Sequence, residues 1–177
     1  MTEIDLVALR DGAPSDCEAV AALHLASWRD SYRGLLPDAY LDGALAEDLA
    51  AKWQERLAPT PGRGGLLLLA ESDARLGGFI YACQEANRPD SAYIDNLHVA
   101  ADSRGRGLGA RLMRDAARRL GQDGYYGAHL RVFAANEAAV RFYLRLGAHV
   151  AHRGPEDLMG HTVETYRMEW PDLSVLI

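Results

Sequence analysis

The stretch RGRGLG, residues 104–109, places three glycines and two arginines in six consecutive positions. It follows an apolar run, Tyr93–Val99, and leads into a segment, 107–120, in which apolar residues recur at helical spacing. A helix N-terminus offers unpaired N–H groups and the positive end of the helix dipole, and glycines let an anion approach that backbone closely. The stretch therefore predicts a strand-to-helix turn that binds a phosphate group. A glycine-rich turn with solvated arginines is the simpler alternative.

Two other phosphate-binding motifs fit the chain poorly. A Walker-type loop needs a Gly-Lys pair followed by Ser or Thr, and the sequence contains no Gly-Lys pair. The spacing of a dinucleotide-binding fingerprint is matched by Gly105, Gly107 and Ala110. In that fingerprint, however, the first glycine follows its strand almost directly, whereas AADSR separates Val99 from Gly105 here. The strand HLRVF also lacks the acidic residue that would bind a ribose.

The remaining sequence alternates between helix and strand signals. Ser15 and Glu18 form a predicted capping box for a helix that continues to Asp30, a short helix is expected near Pro37, and another helix is expected over 47–57. Runs of strand-forming residues cover Ile4–Arg10, Leu66–Ala70, Leu76–Gln84, Tyr93–Val99 and 162–170. The loop 59–65 is too short for a linker, so residues 1–177 are predicted to form a single α/β domain.

Composition excludes several classes of protein. A formal net charge of −6 argues against a broad nucleic-acid interface. The two cysteines, Cys17 and Cys83, are too few for a disulfide framework, and the histidines lack metal-binding spacing. The N-terminus has no secretory signal pattern, and no apolar run is long enough for a membrane span. We therefore expect a cytoplasmic protein that binds no metal, nucleic acid or membrane.

A second motif, VFAANEAAVRFYLRLGA at 132–148, leads from a strand end through Asn136 into a helix that ends at Gly147. Together with the glycine-rich turn, it resembles the GNAT-type N-acetyltransferase superfamily. The family turn V-x(4)-[RQ]-x-x-G-x-[GA] is matched by Val99, Arg104, Gly107 and Gly109. The family helix N-x-x-A-x-x-[FL]-Y-x-x-x-G-[FA] is matched by Asn136, Ala139, Phe142, Tyr143, Gly147 and Ala148. The resemblance implies the GNAT fold, in which helices flank a mixed, largely antiparallel sheet.

The resemblance also implies acetyl-CoA as cosubstrate, bound mainly by backbone groups. The strand segment Leu97, His98 and Val99 would lie along the pantetheine arm, and Asn136 would bind that arm from the opposite side. The pyrophosphate would lie on the amides of the turn, which are those of Arg104, Gly105, Arg106, Gly107, Leu108, Gly109 and Ala110.

Direct acetyl transfer needs a neutral amine, a donor for the developing oxyanion and an acid for the departing thiolate. The Leu97 amide is the candidate donor. Tyr143 matches the family's general acid, in contact with the coenzyme, although a tyrosine that only packs in the core is the alternative. A phenol with a pKa of about 10 can serve only if its surroundings lower that pKa or leave the thiolate poorly solvated.

The general base is the least determined residue. Strand alternation places Tyr93, Asp95 and Leu97 on one face of their strand and His98 on the other. Family members often carry the base at positions matching Tyr93 or Asp95, so Asp95, acting through water, is the first candidate. Glu85 on the neighbouring strand is the second. Tyrosine is a poor base, which makes position 93 a departure from the family.

The acceptor pocket is indicated by the segment HLASWRDSYRGLLP, residues 24–37, which resembles a stretch that lines the acceptor in many bacterial GNAT proteins. Trp28 and Tyr32, four residues apart, would form an aromatic wall on one helix face, with Tyr93 also lining the pocket. Packing of the helix against the sheet explains the two rings equally well.

The expected reaction is acetylation of a primary amine of a small molecule or peptide. The alternative is a noncatalytic module of the same fold that binds or senses acyl-CoA. The sequence leaves open whether the protein forms a homodimer.

Overall fold

The computed structural model describes residues 7–58, 65–158 and 160–177. Part of the predicted strand Ile4–Arg10 and most of the predicted loop 59–65 therefore lie outside the described residues. The strands are β1 (Ala8–Asp11), β2 (Leu66–Ser72), β3 (Arg75–Glu85), β4 (Arg88–Val99), β5 (Gly127–Phe133), β6 (His149–Leu158) and β7 (His161–Trp170). The helices are α1 (Cys17–Tyr32), α2 (Asp38–Leu41), α3 (Leu45–Leu57), α4 (Leu108–Gln122) and α5 (Glu137–Arg145).

The seven described strands form one sheet in the order β1-β2-β3-β4-β5-β7-β6. β4 and β5 pair in parallel, Ser91–Tyr93 with Gly127–His129. The β1–β2, β5–β7 and β6–β7 pairs are antiparallel. This mixed, largely antiparallel sheet with flanking helices confirms the predicted fold class. Within the described part of the chain, no helix has the length and apolar character needed to cross a bilayer.

Helix α4 has the apolar face that the sequence predicts. The residues at helical spacing are all buried: Leu108, Leu112, Met113, Ala116, Ala117 and Leu120. The helix continues past the predicted end at Gly121, because the Asp123 amide still donates to the carbonyl of Arg119 at 3.0 Å. Gly124, with φ of +93°, adopts the left-handed conformation that ends it.

The predicted capping box at the start of α1 is wrong. Ser15 lies inside a single turn of 3-10 helix, Pro14–Asp16, and α1 begins only at Cys17. The carboxylate of Asp16 accepts a hydrogen bond from the Ala13 amide at 2.7 Å and pairs with the Arg10 guanidinium at 2.7 Å. Asp16, held by Arg10 six residues before it, thus reaches back to the Ala13 amide, which is the role that the predicted capping box gave to Glu18.

The described contacts divide the chain into two compact units, and the first comprises residues up to Tyr81 together with Asn96–Met113. Its helix α3 buries Leu45, Leu49 and Trp53, which recur every four residues and form one face. The helix packs against α1, and the ring of Trp53 meets Phe79 of β3 edge to face at a centroid distance of 5.3 Å. The apolar face of α3 thus explains the core of this unit.

The second unit comprises Ala82–Asp95 together with Arg114–Ile177. In it β5 pairs with β7 from Ala128 opposite Trp170 to Phe133 opposite Thr165. The buried Trp170 donates its indole N–H to the carbonyl of Leu146 at 2.9 Å, and this bond joins the end of α5 to β7. Helix α5, which carries the second family motif, is therefore fixed against the sheet of its own unit.

Candidate functional site

The glycine-rich turn of the first unit lies between the end of β4 at Val99 and the start of α4 at Leu108. Gly105 and Gly107 have φ of +74° and +82°, which other residues adopt only with strain. The carbonyl of Gly107 accepts from the Arg111 amide at 3.0 Å, so the first helical bond of α4 starts there. The N–H groups of the first turn of a helix have no acceptor within the helix and can bind an anion. The predicted strand-to-helix turn is confirmed in this respect.

Two arginines of the turn differ in their surroundings. The Arg104 guanidinium turns back toward the protein, where its Nε donates to the carbonyl of Val99 at 3.0 Å and its Nη1 pairs with the carboxylate of Asp30. Arg106, by contrast, lines a cavity of about 360 Å³ beside the turn, together with Ser103 and Leu108. The turn thus carries two arginines, of which Arg104 spans its base and Arg106 lines the cavity.

In the C-terminal half of β4, successive side chains point to opposite faces of the sheet, as the sequence predicts. Asn96 is buried and accepts a hydrogen bond from the Arg56 guanidinium at 2.7 Å, while Leu97 and Val99, on the opposite face, are half-buried. His98 shares the face of Asn96, and its Nδ1 lies 2.9 Å from the hydroxyl of Ser27 on α1. The side chain of His98 therefore points away from the face of Leu97, which leaves only its backbone at the expected coenzyme position.

A pair of buried histidines occupies the core side of this strand. The rings of His98 and His24 lie 4.3 Å apart, and His24 Nδ1 accepts from the Trp53 indole at 3.1 Å. Burial lowers the pKa of His24 to about 2 and that of His98 to about 3. Both rings are consequently neutral at neutral pH, and their place in the core gives them a packing role.

The predicted aromatic wall on α1 forms. The rings of Trp28 and Tyr32 meet edge to face at a centroid distance of 5.1 Å, and Trp28 also meets His24 at 5.5 Å. Both residues are half-buried, so part of each ring reaches solvent while the rest packs in the unit. This placement is compatible with both the acceptor and the packing interpretation.

Tyr143 and Asn136 of the second motif lie in the second unit. Tyr143 is 9% exposed, and its ring meets those of Trp170 and Phe142 at 5.9 and 5.2 Å. Asn136 is the N-cap of α5, and its side-chain oxygen accepts from the Ala139 amide at 3.2 Å. A coenzyme contact through the NH₂ group of Asn136 would leave this cap intact.

The second candidate base, Glu85, is held by two donors. One carboxylate oxygen lies 2.9 Å from Nε2 of His129, and the other accepts from the Arg131 guanidinium at 2.9 Å. Burial by itself would raise the pKa of Glu85, but these hydrogen bonds outweigh it and hold the pKa below its usual value. A carboxylate with a lowered pKa is a weaker proton acceptor, so the arrangement argues against Glu85 as the base.

His129 continues this hydrogen-bond chain to Ser91. An ionised Glu85 can only accept, so Nε2 of His129 carries the proton, and Nδ1 accepts from the Ser91 hydroxyl at 2.8 Å. Burial lowers the pKa of His129 and keeps the ring neutral. Sequence reasoning missed Ser91, His129 and Arg131, because only the register of β4 with β5 brings them to one place.

Tyr93 lies above the same network. Its ring meets that of His129 at 5.4 Å, and the Arg131 guanidinium lies 5.2 Å from its centroid. Burial raises the pKa of Tyr93, so its phenol stays protonated at neutral pH. Asp95, two residues further along the strand, is half-buried.

Comparisons with known proteins agree with the two motifs. The model of the acetyltransferase (GNAT) family matches residues 24–148. A probable N-acetyltransferase of Mycobacterium tuberculosis is 34% identical over 112 residues, which make up 62% of this chain and 63% of that protein. The match thus spans less than two thirds of this relative's length.

Two solved structures have the same fold. The PaiA N-acetyltransferase of Thermoplasma acidophilum, solved in complex with coenzyme A, aligns with a TM-score of 0.75 at 23% identity over 92% of this chain and 97% of its own. YncA of Salmonella typhimurium, solved with its cofactor acetyl-CoA, aligns with a TM-score of 0.69 at 16% identity over 94% of each chain. At these identities the likeness establishes the fold.

Proposed function

This chain belongs to the GNAT family of acetyltransferases, and on that premise we propose that it transfers the acetyl group of acetyl-CoA to a primary amine of a small molecule or peptide. The observation that carries the proposal is the turn between β4 and α4. Its two left-handed glycines expose the N-terminal amides of a helix whose apolar face is fully buried. Residues 1–177 would act together as one acetyltransferase domain.

The coenzyme would be bound chiefly by backbone groups. The amides from Arg104 to Ala110 would hold the pyrophosphate, since a helix N-terminus favours negative charge. The strand segment Leu97–Val99 would pair with the pantetheine arm as an added strand does. Asn136 would contribute its NH₂ group to that arm while its oxygen caps α5. No metal is required by this scheme.

The chemistry would be a direct attack in a ternary complex. The amine nitrogen forms a bond to the thioester carbonyl carbon, and the amide of Leu97 stabilises the resulting oxyanion. As the carbon–sulfur bond breaks, Tyr143 would give its phenolic proton to the thiolate of coenzyme A, and the excess proton of the acylated nitrogen would restore the phenol, which leaves a neutral amide and a free thiol. The burial of Tyr143 supports this role, because a poorly solvated site raises the proton affinity of a departing thiolate.

A base must remove one proton from the amine, and we assign that role to Asp95, acting through water. Glu85 is bound by His129 and Arg131, which makes it the weaker candidate. The acceptor would lie against the aromatic wall of Trp28 and Tyr32, with Tyr93 as a further contact. Neutral aromatic rings attract a cationic group, which fits an amine that arrives protonated.

The direct test is a screen of amines, peptides and aminoglycoside-type antibiotics for the release of coenzyme A from acetyl-CoA. Coenzyme binding is measured in parallel by calorimetry in Gly107→Val, which places a branched side chain where the phosphate must approach. Gly124→Val is the matched control, because Gly124 has a similar positive φ and open space around it. We expect at least a severalfold weaker affinity in Gly107→Val alone.

Two outcomes would contradict parts of the proposal. Unchanged coenzyme affinity in folded Gly107→Val would remove the turn from the phosphate site. Tight coenzyme binding without turnover of any amine would instead support a noncatalytic acyl-CoA-binding module.

A further inference from the structure

The first arginine of the glycine-rich turn is engaged with the protein on two sides. Nε of Arg104 donates to the carbonyl of Val99, the last residue of β4, at 3.0 Å. Nη1 of the same guanidinium pairs with the carboxylate of Asp30 on α1. The side chain therefore spans the base of the turn, from the residue that ends β4 to the helix beside it.

A second bond joins the same helix to the same strand. The hydroxyl of Ser27 lies 2.9 Å from Nδ1 of His98. Ser27 and Asp30 are three residues apart and share one face of α1, so both bonds reach β4 and its turn from one side. The Ser27–His98 bond is partly buried, whereas the Arg104–Asp30 pair is more exposed, at 40% and 56% of the two side chains. Together they fix the position of α1 relative to the coenzyme turn.

We propose that Arg104 is a positioning residue, whose guanidinium holds the turn in its anion-binding shape by joining the Val99 carbonyl to Asp30 and does not bind the pyrophosphate itself. The inference rests on the proposed function, since the shape of the turn matters for binding only if a phosphate occupies it. It assigns the phosphate contacts to backbone amides that follow Arg104 in the turn and not to this side chain.

The physical reason lies in the glycines that follow. Gly105 and Gly107 give the backbone its left-handed conformations, but glycine also loses the most conformational freedom when a turn is ordered. An anchor on the residue immediately before them reduces the freedom that is lost when the anion binds, and a preorganised site binds more tightly. Two nitrogens of the Arg104 guanidinium, Nε and Nη1, are already engaged by the Val99 carbonyl and the Asp30 carboxylate, and these contacts hold the side chain at the base of the turn. Arg106, which lines the cavity beside the turn, adds a second positive charge there.

The two roles of Arg104 predict opposite effects of removing Asp30. If the guanidinium binds phosphate, Asp30→Ala removes a competing carboxylate and leaves coenzyme affinity unchanged or tighter. If Arg104 is a positioning residue, Asp30→Ala releases the turn, and we expect about two- to fivefold weaker binding of coenzyme A, the range set by a partly exposed ion pair. Asp30→Asn, which keeps the size and can still accept a hydrogen bond, should retain part of the affinity.

The experiment is calorimetric titration of coenzyme A into the full chain and its variants. Asp38→Ala is the matched control, because it removes the same charge from an exposed pair with Arg33, and we expect it to bind as the unchanged protein does. Arg104→Ala and Arg104→Lys should both weaken binding, because lysine lacks the planar fork whose two separate nitrogens contact Val99 and Asp30. The double variant Arg104→Ala/Asp30→Ala should bind no more weakly than Arg104→Ala alone, since both substitutions break one contact.

Failure of the positioning role of Arg104 and failure of the proposed function give different binding results. Unchanged or tighter binding in Asp30→Ala and in Asp30→Asn, or full affinity in Arg104→Lys, would overturn the positioning role while Gly107→Val still reports on the turn. If the unchanged protein does not bind coenzyme A, the proposed function itself fails. Weaker binding in Asp38→Ala to the same extent would show a general effect of charge and would also overturn the inference.

Discussion

The side chain of Tyr143 is buried, and its phenolic O–H is the one acidic proton that it can donate. Tyr143→Phe keeps the ring that packs on Trp170 and Phe142 but removes the proton that the thiolate would receive. We expect kcat to fall by roughly 10²–10⁴-fold, the usual contribution of a general acid, with little change in coenzyme affinity. Steady-state kinetics with a true acceptor measure the first quantity and calorimetry the second.

The matched control for this substitution is Tyr126→Phe, because Tyr126 is 75% exposed in the same unit. It should leave kcat unchanged. A kcat of Tyr143→Phe within about twofold of the unchanged enzyme would be too small for a general acid and would assign the proton to water or another residue.

Asp95 is tested at the same scale by the pH dependence of its removal. An alkylamine is almost wholly protonated at about pH 7, so a base is needed most at neutral pH and least at high pH. We therefore expect Asp95→Asn to lower kcat/KM by one to several orders of magnitude at neutral pH, on the scale of general-base catalysis, with partial recovery as the pH rises.

Glu85→Gln is the companion variant, because Glu85 is the other carboxylate that the sequence nominates. Its two donors, His129 and Arg131, keep its pKa low, so we expect no loss that recovers with pH. The opposite pattern, with recovery in Glu85→Gln and none in Asp95→Asn, would transfer the role of base to Glu85. An equal loss at every pH in Asp95→Asn would indicate an acceptor contact.

At the scale of elements, helix α5 begins at a residue with two assigned roles. The Asn136 oxygen caps the helix by accepting from the Ala139 amide, and its NH₂ group is proposed to bind the pantetheine arm. Asn136→Ala should lower the free energy of unfolding by about 0.5–2 kcal/mol, the usual cost of a lost cap. Asn136→Asp keeps the capping oxygen and loses the donor, so it should preserve stability and weaken coenzyme binding.

Denaturant titration and calorimetry read the two roles of Asn136 separately. Equal coenzyme affinity in Asn136→Asp and the unchanged protein would limit Asn136 to capping. A loss of stability in Asn136→Asp as large as in Asn136→Ala would contradict the cap.

At the scale of the whole molecule, buried histidines in both units link stability to pH. Burial lowers the pKa of His24 to about 2 and of His98 to about 3, and it also lowers that of His129. The unfolded chain, with histidine pKa values of about 6.5, therefore binds more protons than the folded chain below that pH. Stability is complete above about pH 6.5 and is lost progressively as the pH falls, by up to about 1.4 kcal/mol per unit for each histidine.

The window between about pH 5 and 6.5 isolates this effect, because the carboxylates titrate mainly at lower pH. Denaturant titrations in that window should show a shallower slope for His24→Asn, which keeps an acceptor for the Trp53 indole. His161→Asn, at an exposed position, is the control and should leave the slope unchanged. A slope that His24→Asn does not alter would mean that His24 is protonated in the folded protein.

Some helices and strands can be predicted from their own sequence, and others cannot. Helix α4 and the glycine-rich turn depend on local periodicity and on local backbone conformation, so the sequence predicts both closely. Strand β6 was not predicted, because its residues are mostly exposed and show no alternation, and it exists through its pairing with β7. The start of α1 differs from the prediction for another reason, since Asp16 and not Glu18 reaches back to a free amide, that of Ala13, while Arg10 holds its carboxylate.

The sequence by itself determined the fold family and the coenzyme turn, because two motifs with fixed spacing specify backbone conformations that form within a few residues. It also determined that His98 points away from Leu97, since the alternation of a strand has a period of two. Only the tertiary structure decided which polar groups meet. The Glu85–His129–Ser91 chain depends on the register of β4 with β5, and the pairing of Arg104 with Asp30 depends on the packing of α1, neither of which has a local signal in the chain.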